Sequence, residues 1–267
     1  MTSETNDKGW AASTGELSPR EAGREPRRIG LISDIHANLH ALIAVLENLD
    51  EAGVDKIYCC GDVVGYGPFP NECCEIIRDR GIPTIAGNHD HAALGMTTVE
   101  YFNDVAKRAV QWTSEELTEE NRRFLRNLPM TIDEEDFLLV HASPNEPREW
   151  NYILTISDAR ESFRHFSHPV CFIGHTHQPF IVKLAGGNLT CPVTPRIRMA
   201  PGERFLVNIG SVGQPRDQNK MASFAVYDRG EMSIEIIRRA YDVAAVQEAI
   251  REKNLPIELG ERLAHGW

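Results

Sequence analysis

The sequence predicts an α/β protein in which two β-sheets pack together and carry helices on their outer faces. Short apolar runs typical of buried strands alternate with helical segments in the first part of the chain. After residue 177, strand-like segments follow one another with few helices between them. The 267 residues, of which 42% are hydrophobic and 25% charged, suffice for one large α/β domain.

The first 27 residues differ from the rest of the chain. They are rich in Ser, Thr, Glu, Arg, Gly and Pro and show no apolar period. A segment of this composition cannot bury enough apolar surface to fold, so we predict a disordered N-terminal tail over residues 1–27. The pattern of strands and helices begins at Arg28, and the predicted domain covers residues 28–267.

Five apolar runs each lead into residues that can bind a metal ion. Such runs, when bounded by turn residues, indicate buried strands, and ligands bind beyond the carboxyl ends of strands in open α/β sheets. We therefore expect these side chains at one edge of a sheet, in a number that favours two metal ions. The runs cover residues 31–33, 57–61, 83–87, 137–140 and 170–174, and the residues after them are Asp34 and His36, Asp62, Asn88 and His89, His141, and His175 and His177.

The segments between and after these runs carry helix and strand patterns. Leu39 starts an apolar stripe that continues to Leu49 and stops at Gly53. The spacing of Thr113 and Glu116 predicts a capping box that opens a helix over 114–126. Further helices are predicted over 71–80, 103–112, 158–166 and 242–253, strands over 180–184, 204–208, 224–227 and 232–238, and a loop or hairpin over 184–203.

Charge and composition exclude several classes of function. The net charge of −11 argues against broad binding to nucleic acids or anionic membranes, because both need a basic surface. No apolar stretch approaches the length of a membrane span, and the polar N-terminus does not resemble a signal peptide, so we expect a cytoplasmic protein. The six cysteines lack CxxC spacing, and three of them lie inside apolar runs, which predicts reduced core thiols rather than a zinc site.

The donor types indicate the kind of metal. Carboxylate oxygens and imidazole nitrogens together favour Mn, Fe, Zn or Ni over Mg or Ca. A carboxylate can share its oxygens between two cations, which makes Asp62 the predicted bridge. Asn88 adds a neutral oxygen donor that brings no further negative charge to the site.

These residues fall into five motifs that resemble those of the calcineurin-like metallophosphoesterase superfamily. The resemblance implies a four-layer α/β/β/α sandwich of two mixed sheets, with a dinuclear metal centre at the sheet ends. The motifs are Asp34-Ile35-His36, Gly61-Asp62, Gly87-Asn88-His89-Asp90, Val140-His141 and Gly174-His175-Thr176-His177, in this order along the chain.

The resemblance also implies a ligand set and a mechanism. Two divalent or trivalent transition-metal ions would hold a bridging hydroxide that attacks phosphorus in line, without a covalent enzyme intermediate. His89 occupies the family position for a general acid, or for a cation that stabilises the leaving oxygen. Asp34 and Asp90 are the two candidates for orienting His89. The implied ligands are Asp34, His36, His177 and Asp62 for one ion, and Asn88, His141, His175 and the same Asp62 for the other.

The second motif departs from one branch of this superfamily. Protein Ser/Thr phosphatases continue it as GDxxDRG, whereas here residues 63–68 are Val-Val-Gly-Tyr-Gly-Pro, so the second Asp and the phosphate-binding Arg are missing. This run and residues 208–217 resemble a bacterial and archaeal branch whose members are described as phosphodiesterases or as diadenosine-tetraphosphatase-like. We therefore expect hydrolysis of phosphodiester or nucleotide-type esters, with Asn38 and Arg216 as candidate contacts to the substrate phosphate.

Several alternatives remain open at the level of the sequence. They are a phosphomonoesterase or protein phosphatase, a nuclease, against which the acidic composition argues, and a non-catalytic scaffold that binds protein partners. Every matched ligand and His89 are present, which favours an enzyme acting on a small phosphate ester. The oligomeric state is unknown. Tyr66 is expected to pack rather than to stack on a substrate base, and His91 to lie in the cleft or to cap the turn after Asp90.

Overall fold

The computed structural model describes residues 25–267. The predicted disordered tail, residues 1–27, lies outside the described residues except for its last three. The first strand begins at Arg28, where the sequence pattern changes.

Two mixed β-sheets form the centre of the fold. The strands are β1 (Arg28–Ile32), β2 (Lys56–Cys59), β3 (Thr131–Asp133), β4 (Phe137–Val140), β5 (Val170–Ile173), β6 (Phe180–Ala185), β7 (Asn188–Thr190), β8 (Arg196–Arg198), β9 (Arg204–Asn208), β10 (Ala222–Asp228) and β11 (Ser233–Arg239). Sheet A has the order β2-β1-β10-β11-β8, in which β1 and β2 are parallel and the other neighbours antiparallel. Sheet B has the order β3-β4-β5-β9-β6-β7, in which β4, β5 and β9 are parallel.

Helices flank both sheets. They are α1 (Leu39–Glu51), α2 (Pro70–Asp79), α3 (Asn88–Ala93), α4 (Asp104–Glu116), α5 (Glu119–Arg126), α6 (Ile156–Ser162), α7 (Val243–Glu252) and α8 (Ile257–His265), with a short 3-10 helix at Pro147–Glu149. Among the described residues, no helix is long and apolar enough to cross a membrane.

The apolar core explains the layering. Side chains alternate along β1, so Ile29 and Leu31 join the cluster between the two sheets, whereas Ile32 joins the cluster under α1 and α2. A further cluster lies on the outer face of sheet B, where Val140 packs with Ala159 of α6. The four-layer α/β/β/α sandwich expected from the sequence is confirmed. Five of the six cysteines are buried free thiols, and Cys191 is exposed.

Several details differ from the sequence-based expectations, and the helix predicted over 158–166 is Ile156–Ser162. The run 83–87 is not a strand, because Thr84 makes only an isolated parallel bridge with Cys59. The helix predicted over 103–112 continues to Glu116, and the next helix starts at Glu119. The helix that starts at Glu119 is capped by Thr118 rather than by Thr113, because the hydroxyl of Thr118 accepts a hydrogen bond from the amide of Asn121.

The C-terminal part contains elements that the sequence pattern did not reveal. Helix α8 was not predicted, although its apolar residues Leu259 and Leu263 are buried. The segment 184–203, for which the sequence indicates a loop or hairpin, forms a hairpin between β6 and β7 and then crosses to sheet A as β8. Strands β7 and β8 are only three residues long, which is too short for a period-two pattern to be recognised.

Candidate metal centre

The sequence suggested that the predicted ligands lie at the edge of one sheet. In the structure they come together where strands of both sheets end. β1 and β2 of sheet A and β4 and β5 of sheet B all end at the same place, and Asn88 is delivered by the first turn of α3. The seven side chains are buried, with exposed fractions between 0 and 6%: Asp34, His36, Asp62, Asn88, His141, His175 and His177.

The backbone at these positions is unusual. Five of the seven predicted ligands have a positive φ, a conformation that costs non-glycine residues about 1–3 kcal/mol. Strain of this kind persists where the surrounding structure requires it, and it clusters at functional sites. Here it turns the chain sharply after each strand and directs the side chains inward. The residues and their φ angles are Asp34 (52°), His36 (49°), Asp62 (53°), His175 (68°) and His177 (59°).

Glycines make room for the carboxylates. A Cβ atom on Gly87 would lie 2.0 Å from Oδ1 of Asp62, and one on Gly174 would lie 2.2 Å from Oδ2 of Asp34. No side chain fits at either position without displacing a predicted ligand. Steric crowding therefore explains why glycine occupies positions 87 and 174 in the third and fifth motifs, which the sequence alone did not explain.

One group of ligands surrounds Asp34. Nε2 of His177 lies 3.2 Å from Oδ1 of Asp34, and Nε2 of His36 lies 3.7 Å from the same oxygen. The Nε2 atoms of His36 and His177 are 3.0 Å apart. These three residues can direct their donor atoms at one common point.

A second group is connected to the first by Asp62. Oδ2 of Asp62 lies 3.3 Å from Nε2 of His141 and 3.6 Å from Nε2 of His36, so one oxygen reaches both groups. Oδ1 of Asn88 lies 3.1 Å from Nε2 of His141. The imidazole of His175 packs beside that of His141, with ring centroids 5.1 Å apart.

The histidines present the correct nitrogen for metal binding. Nδ1 of His36 lies 3.1 Å from the carbonyl of Val64, Nδ1 of His141 lies 2.7 Å from that of Cys60, and Nδ1 of His177 lies 2.6 Å from that of Gln214. A carbonyl can only accept, so Nδ1 carries the proton in each ring. Nε2 is then free to bind a cation, and the outer hydrogen bond fixes the ring orientation.

Unpaired atoms show that the site fits cations. Oδ2 of Asp62 and Nε2 of His175 are buried and receive no hydrogen bond from the described residues. Asp34 and Asp62 are buried carboxylates, yet among residues 25–267 no Lys or Arg pairs with either. Burying such charges without a counter-ion is costly, and metal ions offset that cost. The donor set of carboxylates, an amide oxygen and imidazoles therefore suits divalent metal ions.

The pKa values of the ligands point the same way. Burial alone would raise the pKa of Asp62, but His141 and His89 hold it well below its usual range. Burial lowers the pKa of His175 to about 3. For His141, burial is outweighed by the neighbouring Asp62 carboxylate, and its pKa rises to about 9. The raised pKa of His141 reflects the uncompensated negative charge of Asp62, which a bound cation would offset.

His89, the predicted catalytic residue, lies beside the ligands and is held by aromatic rings. Its imidazole packs between Tyr66 and Phe102, with centroid distances of 4.4 and 4.8 Å. Its Nδ1 is buried against Gly65 without a hydrogen-bond partner in the described part of the chain, which leaves Nε2 for a substrate. Burial lowers the pKa of His89 to about 4, and Arg216 acts in the same direction, while Asp62 opposes it.

Neither carboxylate considered for orienting His89 does so. Asp90 instead accepts hydrogen bonds from the backbone amides of Asp62, Val64 and Gly87. Asp34 accepts from the hydroxyl of Ser33 and the amide of His175. Asp90 therefore ties the second motif to the third and positions the ligands that they carry. Its place in the third motif was recognised in the sequence, but this role was not.

The two predicted substrate contacts differ in their surroundings. Asn38 is buried, caps α1 through the amide of Ala41 and donates its own amide to the carbonyl of Gly213, so its observed contacts are structural. A substrate contact through Asn38 thus finds no support in the structure. Arg216 is partly exposed, and its guanidinium lies 5.5 Å from the ring of Tyr66. Tyr66 packs, as expected, in a cluster with α4, α7 and α8.

Two aromatic residues at the site were missed in the sequence. Tyr152 packs against His175 with a centroid distance of 4.1 Å and remains half exposed. Trp150 packs edge-on against both His91 and His141, which also explains the buried position of His91 in α3. Both lie in an irregular segment without a periodic pattern, so only their position shortly after the fourth motif could have drawn attention to them.

Comparison with known proteins gives one family. Residues 28–232 match the model of the calcineurin-like phosphoesterase superfamily domain. The fold is similar to a metallophosphoesterase from Sphaerobacter thermophilus, with a TM-score of 0.79 and 39% identity over 91% of this chain and all of that one.

Two sequence relatives extend the comparison. An uncharacterised protein of Methanocaldococcus jannaschii is 40% identical over 242 residues, which are 89% of this chain and 98% of that protein. A symmetrical bis(5'-nucleosyl)-tetraphosphatase of Actinobacillus pleuropneumoniae is 28% identical over 138 residues. This second match covers 49% of this chain and half of the relative.

Proposed function

Since this chain belongs to the calcineurin-like phosphoesterase superfamily, we propose that it is a hydrolase that cleaves phosphodiester or nucleotide-type phosphate esters with two bound metal ions. The observation that carries the proposal is the position of Asp62. Its unpaired Oδ2 lies between the group around His36 and the group around His141, within 3.6 Å of a nitrogen of each. A shared carboxylate at this position is what a two-metal site requires.

The ligands divide into two sets around that oxygen. Asp34, His36 and His177 would hold one ion, and Asn88, His141 and His175 the other. Two bound cations lower the pKa of a water molecule and offset the negative charge of a phosphoryl group, which makes hydrolysis accessible near neutral pH. Mn, Fe, Zn and Ni suit this mixed nitrogen and oxygen donor set.

His89 would assist departure of the leaving group. With its pKa lowered to about 4, the imidazole is neutral at pH 7 when no substrate is bound. The negative charge of a bound phosphate ester would raise the pKa of the ring, so that His89 binds a proton and can donate it from Nε2 to the leaving oxygen. Tyr66 and Phe102 keep the ring in one orientation, which limits the freedom lost when a substrate binds.

The substrate class follows from the surroundings of the metals. The carboxylate and the arginine that protein phosphatases carry in the second motif are absent, which disfavours phosphoprotein substrates. The half-exposed face of Tyr152 offers a flat apolar surface for an aromatic leaving group or a nucleobase. One relative is named as a dinucleoside tetraphosphatase, which is consistent with a nucleotide-type substrate. The net charge of −11 argues for a small ester rather than a nucleic acid.

Hydrolysis assays test this proposal. Chelator-treated protein is assayed with bis(p-nitrophenyl) phosphate and with p-nitrophenyl phosphate while Mn, Fe, Zn, Ni and Mg are added one at a time. We expect activity only with added transition metal and a higher kcat/KM for the diester. A higher kcat/KM for the monoester contradicts the diester assignment. If no metal restores hydrolysis and the protein binds no metal, the proposal that this chain is an enzyme is contradicted, and a non-catalytic scaffold is favoured.

A further inference from the structure

A second arginine lies beside Arg216, and it comes from helix α8. Oε1 of Gln214 accepts hydrogen bonds from Nη2 and Nε of Arg216 at 2.7 and 3.2 Å, and lies 3.5 Å from Nη1 of Arg262. Arg262 lies beyond residues 28–232, the part of the chain that matches the family model. Two guanidinium groups thus converge on one neutral oxygen.

Neither arginine has an acidic partner. Within residues 25–267, no carboxylate lies within 4.0 Å of either guanidinium, whereas Arg229 and Arg238, which are also partly buried, each pair with an aspartate. Nε of Arg262 is buried and makes no hydrogen bond in the described part of the chain. Two adjacent, partly buried cations repel each other, and an anion between them would remove that repulsion and satisfy the free donors.

The pair lies at the edge of the metal centre. The backbone amide of Arg216 donates to the carbonyl of His177 at 3.2 Å. Its guanidinium lies over Tyr66, whose ring is 4.7 Å from that of His36 and 4.4 Å from that of His89. An anion held by the two arginines would therefore be adjacent to the predicted metal ligands and to the candidate general acid, without occupying their place.

The C-terminal helices hold Arg262 in this position. Leu259 and Leu263 of α8 and Val246 of α7 form one buried cluster with Tyr66. The side chain of Arg262 therefore starts from a helix that is packed against the wall of the site. An arginine fixed in this way loses little additional freedom when it binds a phosphate through two parallel hydrogen bonds.

We propose that Arg216 and Arg262 form an anion subsite for a second phosphoryl group of the substrate, next to the group that is hydrolysed. The preferred substrates would then be esters or anhydrides with two or more phosphoryl groups, such as nucleoside diphosphate or polyphosphate derivatives. This inference rests on the proposed function, because it assigns the scissile phosphoryl group to the metal centre.

Calorimetric titration tests the subsite without catalysis. The full chain is titrated with pyrophosphate, both as purified and after chelator treatment, so that binding by metals and by arginines is separated. We expect Arg262→Gln to weaken pyrophosphate binding about ten- to a hundredfold in the chelated protein, as expected for a lost hydrogen bond to a charged group. Arg251→Gln, which removes an exposed charge from α7, serves as the control and should bind as the wild type does.

Kinetics provide the second test. Two p-nitrophenyl esters are compared, one derived from a nucleoside monophosphate and one from a nucleoside diphosphate with its second phosphoryl group away from the leaving group. Arg262→Gln should reduce kcat/KM at least about tenfold more for the second ester than for the first. Thermal unfolding of each variant, with Arg262→Lys as a charge-conserving variant, reports whether the fold is intact.

The outcomes separate the two proposals. Equal losses of kcat/KM for both esters, or unchanged pyrophosphate binding in Arg262→Gln, would show that the two arginines only fix Gln214 and would overturn the subsite. Failure of the wild type to bind pyrophosphate while it hydrolyses the monophosphate ester would overturn the subsite and leave the proposed function standing. Pyrophosphate binding that depends on Arg262, without hydrolysis under any metal, supports the subsite and overturns the proposed function.

Discussion

The backbone amide of His89 donates a 2.8 Å hydrogen bond to Oδ1 of Asp62. The carboxylate that lies between the two ligand groups thus also holds the main chain that carries the candidate general acid. Because this bond uses only the main chain of His89, loss of the imidazole leaves Asp62 in place. Mutations can therefore separate metal binding from leaving-group assistance.

His89→Gln should impair hydrolysis without loss of metal. We expect kcat to fall about a hundred- to ten-thousandfold for esters with poor leaving groups, which is the usual contribution of a general acid. The loss should be smaller for p-nitrophenyl esters, because p-nitrophenolate leaves without protonation. Metal content equal to the wild type, measured by plasma mass spectrometry, confirms the intact centre. A loss of kcat that is independent of the leaving group would contradict the assignment.

Phe102→Leu tests whether packing orients His89. The ring of Phe102 lies 4.8 Å from that of His89, and no side-chain hydrogen bond from the described residues fixes Nδ1. We expect kcat to fall about ten- to a hundredfold, with the same dependence on the leaving group as in His89→Gln. Tyr101→Leu removes an exposed neighbouring ring and should leave kcat unchanged. Equal kcat values for both variants would show that Phe102 does not position His89.

Gly87→Ala should disrupt the metal centre. Gly87 has a negative φ of −105°, so alanine is acceptable for the backbone, but its Cβ would lie 2.0 Å from Oδ1 of Asp62. We expect a loss of about 1–3 kcal/mol in the free energy of unfolding, together with weaker metal binding. Gly260→Ala in α8 is the matched control, since its Cβ would have no neighbour closer than 3.5 Å. This variant should be neutral or stabilised by about 0.5–1 kcal/mol in urea unfolding.

Asp136 connects the two sheets and makes stability depend on pH. Asp136 directly precedes β4 of sheet B. It accepts hydrogen bonds from the hydroxyl of Tyr227, which lies in β10 of sheet A, and from the guanidinium of Arg229, which directly follows β10. Burial would raise the pKa of Asp136, but these hydrogen bonds lower it. Its stabilising contribution is therefore fully present above the usual carboxylate pKa near 4 and is lost as the pH falls through the lower folded-state value.

Asp136→Asn should accordingly cost about 1–3 kcal/mol in the free energy of unfolding at pH 7. The difference from the wild type should shrink between pH 4 and pH 2, where the carboxylate becomes protonated. Urea unfolding at several pH values measures it, with the exposed Glu135→Gln as the control. A difference that stays constant over the whole pH range would contradict the role of ionised Asp136.

Candidate ligands could be proposed from the sequence because their signals are local. Each ligand follows an apolar run, and the donor type can be read directly at residues such as Asp62 and His141. The layered fold follows from the same runs. The error of placing them at one sheet edge arose because local patterns do not indicate which strands pair. β1 and β4 belong to different sheets, and only their packing brings their ends together.

Residues that act through long-range packing could not be predicted in this way. Tyr66 and Phe102 hold His89 although 23 and 13 positions separate them from it, counted from their residue numbers. Arg262 lies in a helix that the pattern did not reveal, and 48 positions separate it from Gln214. The role of Asp90 depends on three backbone amides that have no sequence signature.

Metal content measured together with hydrolysis in Asp62→Asn tests the central claim most directly. The variant keeps the size of the side chain but removes the charge that both ligand groups share, and Asp79→Asn at the exposed end of α2 is the control. We predict two metal ions per chain in the wild type and the control. Asp62→Asn should bind fewer ions and lose at least about a hundredfold in kcat/KM for the diester, since even outer-shell changes cost ten- to a hundredfold. Full metal content with wild-type hydrolysis in Asp62→Asn would contradict the two-metal account.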